Sequence, residues 1–456
     1  MKIIILGAGT VGTTLAISLS QEDNDITVVD KDQSTLHHLE EEADIKTVHG
    51  SCSYPNTLVN SGIKEADMVV AVTGSDEINI VSCLISKVLS ENVKTIARIR
   101  ESSYLKDRTK KAIEEGVIPV DIVVSPEKLI TNHIQALIET PGSLQVLEFG
   151  DGLLNLVGVR AIKGGPLIGH EIGDLKKHMP NVDTRVAAIF RKGGAIIPKG
   201  TTTVEAGDEV FFIARRKDAR KVINEMRKKE DPYKYIVIAG GGKIGSALAE
   251  QIEDNHTVKL IEANSEKAKE ISERLIDTIV LEGNVSDKSL LHEENIEECD
   301  VFVAVTNDDE ANVMSCMLAK EMGAHKVIAL INNEAYVDLV QDKGIDVAIA
   351  PSQITIGTFL SELAGDEVVK VHSLRRGAAE AIETIVKEST NGKEDAIGKE
   401  LGNIRLPAGA TIGAIIRKNK AKIAHDDVKL REHDHVILFL TDKKLLPKVQ
   451  QIFSPS

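Results

Sequence analysis

Tryptophan is absent from the 456 residues, and phenylalanine and tyrosine together make up only 3%. So few flat surfaces disfavour a protein that stacks single-stranded bases or large planar ligands. Cysteine is scarce as well. Cys52, Cys83, Cys299 and Cys316 show no CxxC or ligand-like spacing, which suggests neither a disulfide framework nor a zinc site and leaves them as reduced thiols. Also missing is any apolar run near the ~20 residues of a spanning helix, the longest being strand-like pieces such as Ile3 to Leu6 and Ile236 to Ala239. Positive charge is in deficit. With 55 bases against 70 acids the net charge is −15, a balance that repels nucleic acid and anionic lipid. Met1-Lys2-Ile3-Ile4-Ile5 enters an apolar strand at once, without the pattern of a secretory signal, so a cytoplasmic compartment and no direct membrane insertion are expected.

What is present is ordinary globular material, 42% hydrophobic and 27% charged, in a length that predicts about two to four domains. The chain repeats itself. Gly7-Ala8-Gly9-Thr10-Val11-Gly12 returns as Gly240-Gly241-Gly242-Lys243-Ile244-Gly245, and Asn79-Ile80-Val81-Ser82-Cys83 returns as Asn312-Val313-Met314-Ser315-Cys316, both 233 positions later. Val124-Ser125-Pro126 matches Ile349-Ala350-Pro351 at an offset of 225, so the second copy is about eight residues shorter, around Lys106 to Gly116.

Each copy opens as strand, glycine-rich turn, helix, strand and continues as short β-branched runs separated by amphipathic stretches. Such alternation predicts an α/β fold with two Rossmann-like, doubly wound parallel sheets, each with its ligand crevice at the carboxyl ends of the strands. Beyond each, Leu144 to Met226 and Val368 to Phe453 read as small α+β lobes that also match one another, Val186–Arg191 aligning with Ile412–Arg417. The expected division is 1–140 and 233–365 for the sheets, with lobes at 141–228 and 366–456. Arg215 to Lys234 reads as a basic helix and linker.

In the first copy the glycine turn has the context that makes it informative, between a strand and a helix. Gly7 suits the tight turn, Gly9 lets backbone approach a pyrophosphate, and Gly12 allows close helix packing, while the helix start offers N–H donors. Asp30 ends the second strand, where a carboxylate accepts ribose hydroxyls and would repel a 2′-phosphate, favouring NAD over NADP. Thr73 and Gly74 extend the crevice, and Arg98 ends another strand where a guanidinium can meet phosphate. The second copy offers Gly240, Gly242, Gly245, Glu262 in the acid's place, and Thr306 and Asn307. Leu330 stands opposite Arg98 there, with Lys243 the only substitute. A carboxylate and a glycine turn serve any adenosine nucleotide, so NAD(H), ATP and ADP all remain admissible.

No catalytic constellation or metal-ligand set accompanies these turns. His37-His38 and His433-Asp434-His435 have neither HExxH nor triad spacing and read as solvated positions, and Ser75-Asp76-Glu77 and Asp308-Asp309-Glu310 read as helix starts. A two-domain NAD-dependent oxidoreductase of unknown substrate is the alternative, and a soluble sensor without a membrane partner a third reading.

Longer strings carry a family resemblance. Val305-Thr306-Asn307-Asp308-Asp309-Glu310-Ala311-Asn312, Thr184-Arg185-Val186-Ala187-Ala188-Ile189-Phe190-Arg191, His372-Ser373-Leu374-Arg375-Arg376-Gly377 and Leu440-Thr441-Asp442-Lys443-Lys444, with the duplicated turns, resemble the TrkA family over essentially the whole chain. That resemblance implies tandem RCK domains in a regulatory, non-enzymatic subunit of a Trk-type potassium uptake system. It implies a homotetramer, forming a ring of eight such units, at the inner face of the cell membrane on a potassium-translocating membrane subunit. It also implies contacts to NAD(H), or to competing ATP or ADP, from Gly7, Ala8, Gly9, Thr10, Val11, Asp30, Thr73, Gly74 and Arg98. The second-copy counterparts are Gly240, Gly241, Gly242, Lys243, Ile244, Glu262, Thr306 and Asn307.

Overall fold

The computed structural model describes residues 1–21, 24–340, 343–363, 368–374, 378–388 and 396–453. Arg375, Arg376 and Gly377 of the resemblance strings, and the expected boundary at 365–366, lie outside the described residues.

The first parallel sheet is built from β1 (Lys2–Leu6), β2 (Asp25–Asp30), β3 (Lys46–His49), β4 (Met68–Ala71), β5 (Lys94–Arg98) and β6 (Ile122–Val124). Its spatial order is β3-β2-β1-β4-β5-β6, so the chain reverses direction between β1 and β4 and opens a crevice at their carboxyl ends. Between the strands run α1 (Thr10–Ser20), α2 (Gln33–Glu42), α3 (Pro55–Asn60), α4 (Asp76–Leu89) and α5 (Asp107–Glu114), and α6 (Pro126–Glu139) follows β6. The strands are apolar almost throughout because helices cover both faces, as in Ile3, Ile4, Ile5 and Leu6, all at most 2% exposed.

A five-stranded antiparallel sheet follows, ordered β10-β9-β11-β8-β7. It comprises β7 (Ser143–Phe149), β8 (Leu154–Arg160), β9 (Thr184–Arg191), β10 (Gly194–Ile196) and β11 (Glu209–Arg215), with the short α7 (Leu175–His178) and the closing α8 (Arg216–Met226). The basic helix expected in the 215–234 stretch is therefore present, but one of its faces buries Ala219, Val222, Ile223 and Met226.

The second parallel sheet repeats the first, in the order β14-β13-β12-β15-β16-β17. Its strands are β12 (Tyr235–Ala239), β13 (Thr257–Glu262), β14 (Ile279–Glu282), β15 (Val301–Ala304), β16 (Lys326–Leu330) and β17 (Val347–Ile349). Its helices are α9 (Lys243–Ile252), α10 (Ser265–Arg274), α11 (Lys288–Glu293), α12 (Asp309–Met322), α13 (Glu334–Val340) and α14 (Pro351–Leu363). The final antiparallel sheet, β18-β19-β22-β20-β21, repeats the first lobe. It uses β18 (Val368–Leu374), β19 (Ala379–Ile385), β20 (Ala410–Arg417), β21 (Lys420–Ile423) and β22 (His435–Leu440), and α15 (Leu446–Phe453) closes it. In each lobe a buried aspartate clamps the partner strand through a two-pronged arginine contact. Asp208 takes Arg191 at 2.8 and 2.8 Å, and Asp434 takes Arg417 at 2.7 and 2.7 Å.

Two compact units emerge, and neither is a contiguous half of the chain. The first holds Met1–Leu129 with Ser352–Leu363, so most of α14 belongs to the core formed by the first parallel sheet. There Phe359 is fully buried in the same apolar cluster as Ile3, Leu15, Val28 and Val70. The second holds Ile130–Pro351 with Ala364–Ser456. Within it the two lobes share one core, in which Phe149, Phe190 and Phe211 meet Leu374, Ala414 and Phe439.

The shared core has a polar margin. Glu383 accepts from Gly150 N at 3.3 Å and lies 2.7 Å from Nδ1 of His435, so His435 is half-buried and ion-paired rather than a solvated position. Burial works to raise the Glu383 pKa, but the imidazole and the Gly150 N–H outweigh it and hold the carboxyl below its ordinary 4.5. The hydrogen bond to Glu383 raises His435 above its ordinary 6.5. None of the helices, searched over the described residues, is long and apolar enough to cross a membrane.

Two outcomes are expected. Phe359→Ala removes a fully buried ring and lowers stability by about 3–5 kcal/mol, read as an earlier urea midpoint for the first unit. The stability contributed by Glu383–His435 is fully present between the two ordinary values, 4.5 and 6.5. It is lost as pH falls through the lowered carboxyl or rises through the raised imidazole. The midpoint difference between wild type and His435→Gln should therefore peak in that window and shrink on both sides, and a flat difference would refute the pairing.

Candidate functional site

At the end of β1 the chain turns through Gly7, whose φ of +110° favours glycine. A Cβ on Gly12 would sit 1.9 Å from the Gly7 carbonyl oxygen, so α1 is pressed onto the strand end as only glycine allows. Gly9 differs. Its φ is −69° and a Cβ built there meets nothing within 4 Å, so neither backbone nor packing requires glycine at that position. The bare Cα faces open space in the crevice, which is what close approach of a phosphate needs. Gly74, after β4, is equally open.

The helix start is left ready for an anion. No side chain caps α1 and its first turn carries no acid, so the amides of Thr10 and Val11 lie at an uncapped positive dipole end. By contrast α2, α4, α10, α11 and α12 are capped by Asp32, Ser75, Asn264, Asp287 and Asp308. Ser75-Asp76-Glu77 and Asp308-Asp309-Glu310 thus do start helices.

Asp30, half-buried, accepts from Ala8 N at 2.6 Å and from Asp32 N at 2.9 Å, which fixes the carboxylate beside the glycine turn. Across the crevice Thr73 and Arg98 belong to one network. Thr73 donates its N–H and hydroxyl to Oδ1 of Asn79, Asn79 donates to Arg98 O at 2.8 Å, and Arg98 donates an Nη2 proton to Thr73 O at 2.8 Å. Nε of Arg98 is buried without a partner among the described residues. Burial and the nearby Arg100 charge lower its pKa from the ordinary guanidinium value, leaving a cation whose charge a phosphate would offset. An open glycine, uncapped amides, a fixed carboxylate and an orphaned guanidinium proton suit an adenosine diphosphate group such as that of NAD or ADP.

The second crevice keeps the backbone and changes the charges. Gly240 has φ +107°, a Cβ on Gly245 would again meet Gly240 O at 1.9 Å, and Gly242 is as open as Gly9. Thr306 and Asn312 repeat the Thr73–Asn79 bonds, with Asn312 donating to Leu330 O at 2.9 Å. Glu262, however, is only 9% exposed and already engaged by Gly241 N at 3.0 Å, Asn264 N at 3.0 Å and Lys267 Nζ at 3.1 Å. Burial opposes its ionisation, yet those partners hold its pKa below the ordinary value. Lys243 opens α9 and is exposed, while Asn307 replaces the open glycine after the strand.

The TrkA-N domain family matches residues 3–126 and 236–351, and the TrkA-C domain family matches 156–227. The Trk system potassium uptake protein TrkA of Halomonas elongata is 53% identical over 454 residues, covering 99% of this chain and 98% of that protein. The chain belongs to the TrkA family. Among solved structures it resembles the GsuK RCK domain, at TM-score 0.62 and 19% identity with 100% and 95% of the two chains covered. It likewise resembles the GsuK channel bound to NAD, at TM-score 0.62 and 18% identity with 100% and 79% covered. At those identities the likeness speaks to the fold, two doubly wound sheets each followed by a smaller lobe.

In this TrkA-family chain three residues beside the first crevice escape a motif search: Asn79, Asp76 and Arg100. Arg100 donates to Gly74 O, and Asp76 accepts from the amides of Arg100 at 3.0 Å and Glu101 at 2.8 Å, so together they hold the loop after β4 against the end of β5. In the second copy Asn332 occupies the Arg100 position and binds Asp309 at 3.0 Å. Both crevice arginines are therefore replaced, a paired change that aligning the repeats reveals.

Gly9→Ala is expected to keep the wild-type thermal midpoint, because its methyl meets only open space. Gly12→Ala should lower it sharply, or prevent folding, because a Cβ at 1.9 Å from a carbonyl oxygen forces helix and strand apart. Equal midpoints for the two variants would contradict the separation of roles.

Proposed function

We propose that this chain is the cytosolic, nucleotide-binding regulatory subunit of a Trk-type potassium uptake system. Its crevices take NAD(H), with ATP or ADP competing for the same place, and it controls potassium flux through a membrane-embedded partner. The observation that carries the reading is full-length kinship with a protein named for potassium uptake. It favours regulation over an oxidoreductase. The GsuK channel, a neighbour in fold, was solved bound to NAD. Gly7, Ala8, Gly9, Thr10, Val11, Asp30, Thr73, Gly74 and Arg98 form the first site in this reading. Gly240, Gly241, Gly242, Lys243, Ile244, Glu262, Thr306 and Asn307 form a weaker second one, because Leu330 and Asn332 stand where the first crevice has arginines.

The modules are taken as 1–140, 141–228, 233–365 and 366–456, with Pro126 and Pro351 opening the helices that follow each parallel sheet and serving as hinges. A homotetramer peripheral to the inner face of the membrane fits an unusual helix pattern. On α4 the small or polar Asn79, Ser82, Cys83 and Ser86 face inward, while Ile78, Val81, Leu84 and Val88 are 38–74% exposed. On α12, Asn312, Ser315, Cys316 and Ala319 are buried while Met314 and Met317 are exposed. Exposed apolar stripes of this kind support assembly with further copies. Nucleotide shifts gating only through different affinities for two assembly states, so occupancy and conductance must be reciprocally coupled.

Isothermal titration with NADH, NAD, ATP and ADP tests the reading. Asp30→Asn, which keeps an acceptor for Ala8 N, should weaken binding by about 10–100-fold, the effect of losing a charged hydrogen-bond acceptor. Glu262→Gln should change the total much less. A wild-type protein that binds none of the four nucleotides overturns the proposal, as does potassium flux through the co-purified membrane subunit that ignores all of them.

A further inference from the structure

A cavity of about 270 Å³ lies at the amino-terminal end of the second parallel sheet, the opposite end from the crevice. Lys326 opens β16 there and Asp346 directly precedes β17. Residues distant in sequence complete the wall: Ser143 opening β7, Arg160 ending β8, Arg227 just after α8, and Tyr233 ahead of β12. Lys320 and His325 come from the end of α12 and the turn beyond it. Every one of these residues belongs to the second compact unit.

The charges in this wall do not balance. Arg160 pairs with Glu209 at 3.1 Å, Arg227 with Glu230, and Lys320 with Asp346 at 2.7 Å. His325 adds a further donor 3.3 Å from Glu230. Lys326 is the exception. It is 5% exposed and donates to two backbone carbonyls, Ser143 O at 2.8 Å and Leu137 O at 3.3 Å, with no carboxylate within ion-pair distance among the described residues. Burial pushes its pKa down to about 8, and the Arg227 and Lys320 charges push the same way against Asp346 and Glu230. A buried cation held by two neutral carbonyls and the face of the Tyr233 ring, 5.8 Å from its centroid, beside a cavity walled by further cations, is a costly arrangement that an anion would relieve. Arginines and lysines converging on one volume match the several acceptor oxygens of a phosphate better than a lone carboxylate.

We propose that this cavity binds a small phosphate-bearing organic anion, at a site separate from both glycine-turn crevices. Through its walls such a ligand would join the first lobe, the following linker and the second parallel sheet, all within the second unit. The proposal does not rest on the nucleotide reading of the crevices.

Titrating the full chain with glycerol 3-phosphate, followed by ³¹P resonance and calorimetry and with glycerol as the control, tests it. Saturable binding is expected for the phosphate alone. It should weaken about tenfold or more in Lys326→Met, and severalfold in Lys320→Gln and Arg160→Gln, which leave the Lys326 carbonyl bonds in place. Should Lys326→Met fail to fold, the latter two variants decide. Gly9→Ala combined with Gly242→Ala, which fills both turns, should leave this binding unchanged even where it abolishes nucleotide binding. Absence of saturation in the wild type, affinity unaltered in all three wall variants, or binding lost only in the glycine double variant would each overturn the assignment.

Discussion

The contact on which each parallel sheet depends is the approach of a helix start to a strand end with no side chain between them. Gly12 against the Gly7 carbonyl, and Gly245 against Gly240, leave a clearance that a single methyl would close to 1.9 Å. From that contact follow the tilt of α1 and α9, the exposure of their first amides, and the nearness of Asp30 and Glu262, whose carboxylates accept from Ala8 and Gly241 in the same turns. The same contact limits what a glycine motif can prove. Two of its three glycines are demanded by the fold whether or not anything binds, and only Gly9 and Gly242, free of both steric and torsional need, speak to a ligand.

Duplication makes the comparison internal. Backbone and hydrogen-bond frame are repeated almost atom for atom, down to Asn79 and Asn312, each of which ties the loop after one strand to the last carbonyl of the next. What has diverged is charge. The first crevice sets two arginines near an open loop, whereas the second sets Leu330 and Asn332 there and turns its acid toward Lys267. Because repeating the frame costs no specificity while replacing cations changes it directly, electrostatics is where the two crevices separate.

The architecture was legible in the sequence where periodicity and glycine spacing determine it: the two parallel sheets and the missing segment in the second copy. The missing segment falls in the connection between the last two strands, where the first copy carries a turn and α5 and the described residues of the second carry α13. Less legible was anything that depends on long-range packing. Nothing in Pro351–Leu363 announces that Phe359 fills the core of the first sheet, because an apolar helix face does not specify its partner. His435 read as a solvated position because Glu383, 52 positions away, is brought beside it only by antiparallel pairing. Arg100 and Asp76 carry no motif of their own, and their significance appears only when the loop after β4 is seen against β5.

The exchange of chain between the compact units bears on how an occupied crevice can affect the rest of the molecule. The first sheet is not complete with residues 1–129, since its core includes a helix encoded more than 200 residues later, and residues 130–139 of α6 are likewise counted with the second unit. A duplication that had simply placed two finished domains in series would let each respond alone. Here the stability of the first crevice includes the burial of Phe359, and any shift in α14 is felt in the apolar cluster that holds Ile5, Ala8 and Val28. In the proposed reading, ligand binding that tightened that cluster would be thermodynamically linked to the position of a helix belonging to the other repeat, through the packing of Phe359.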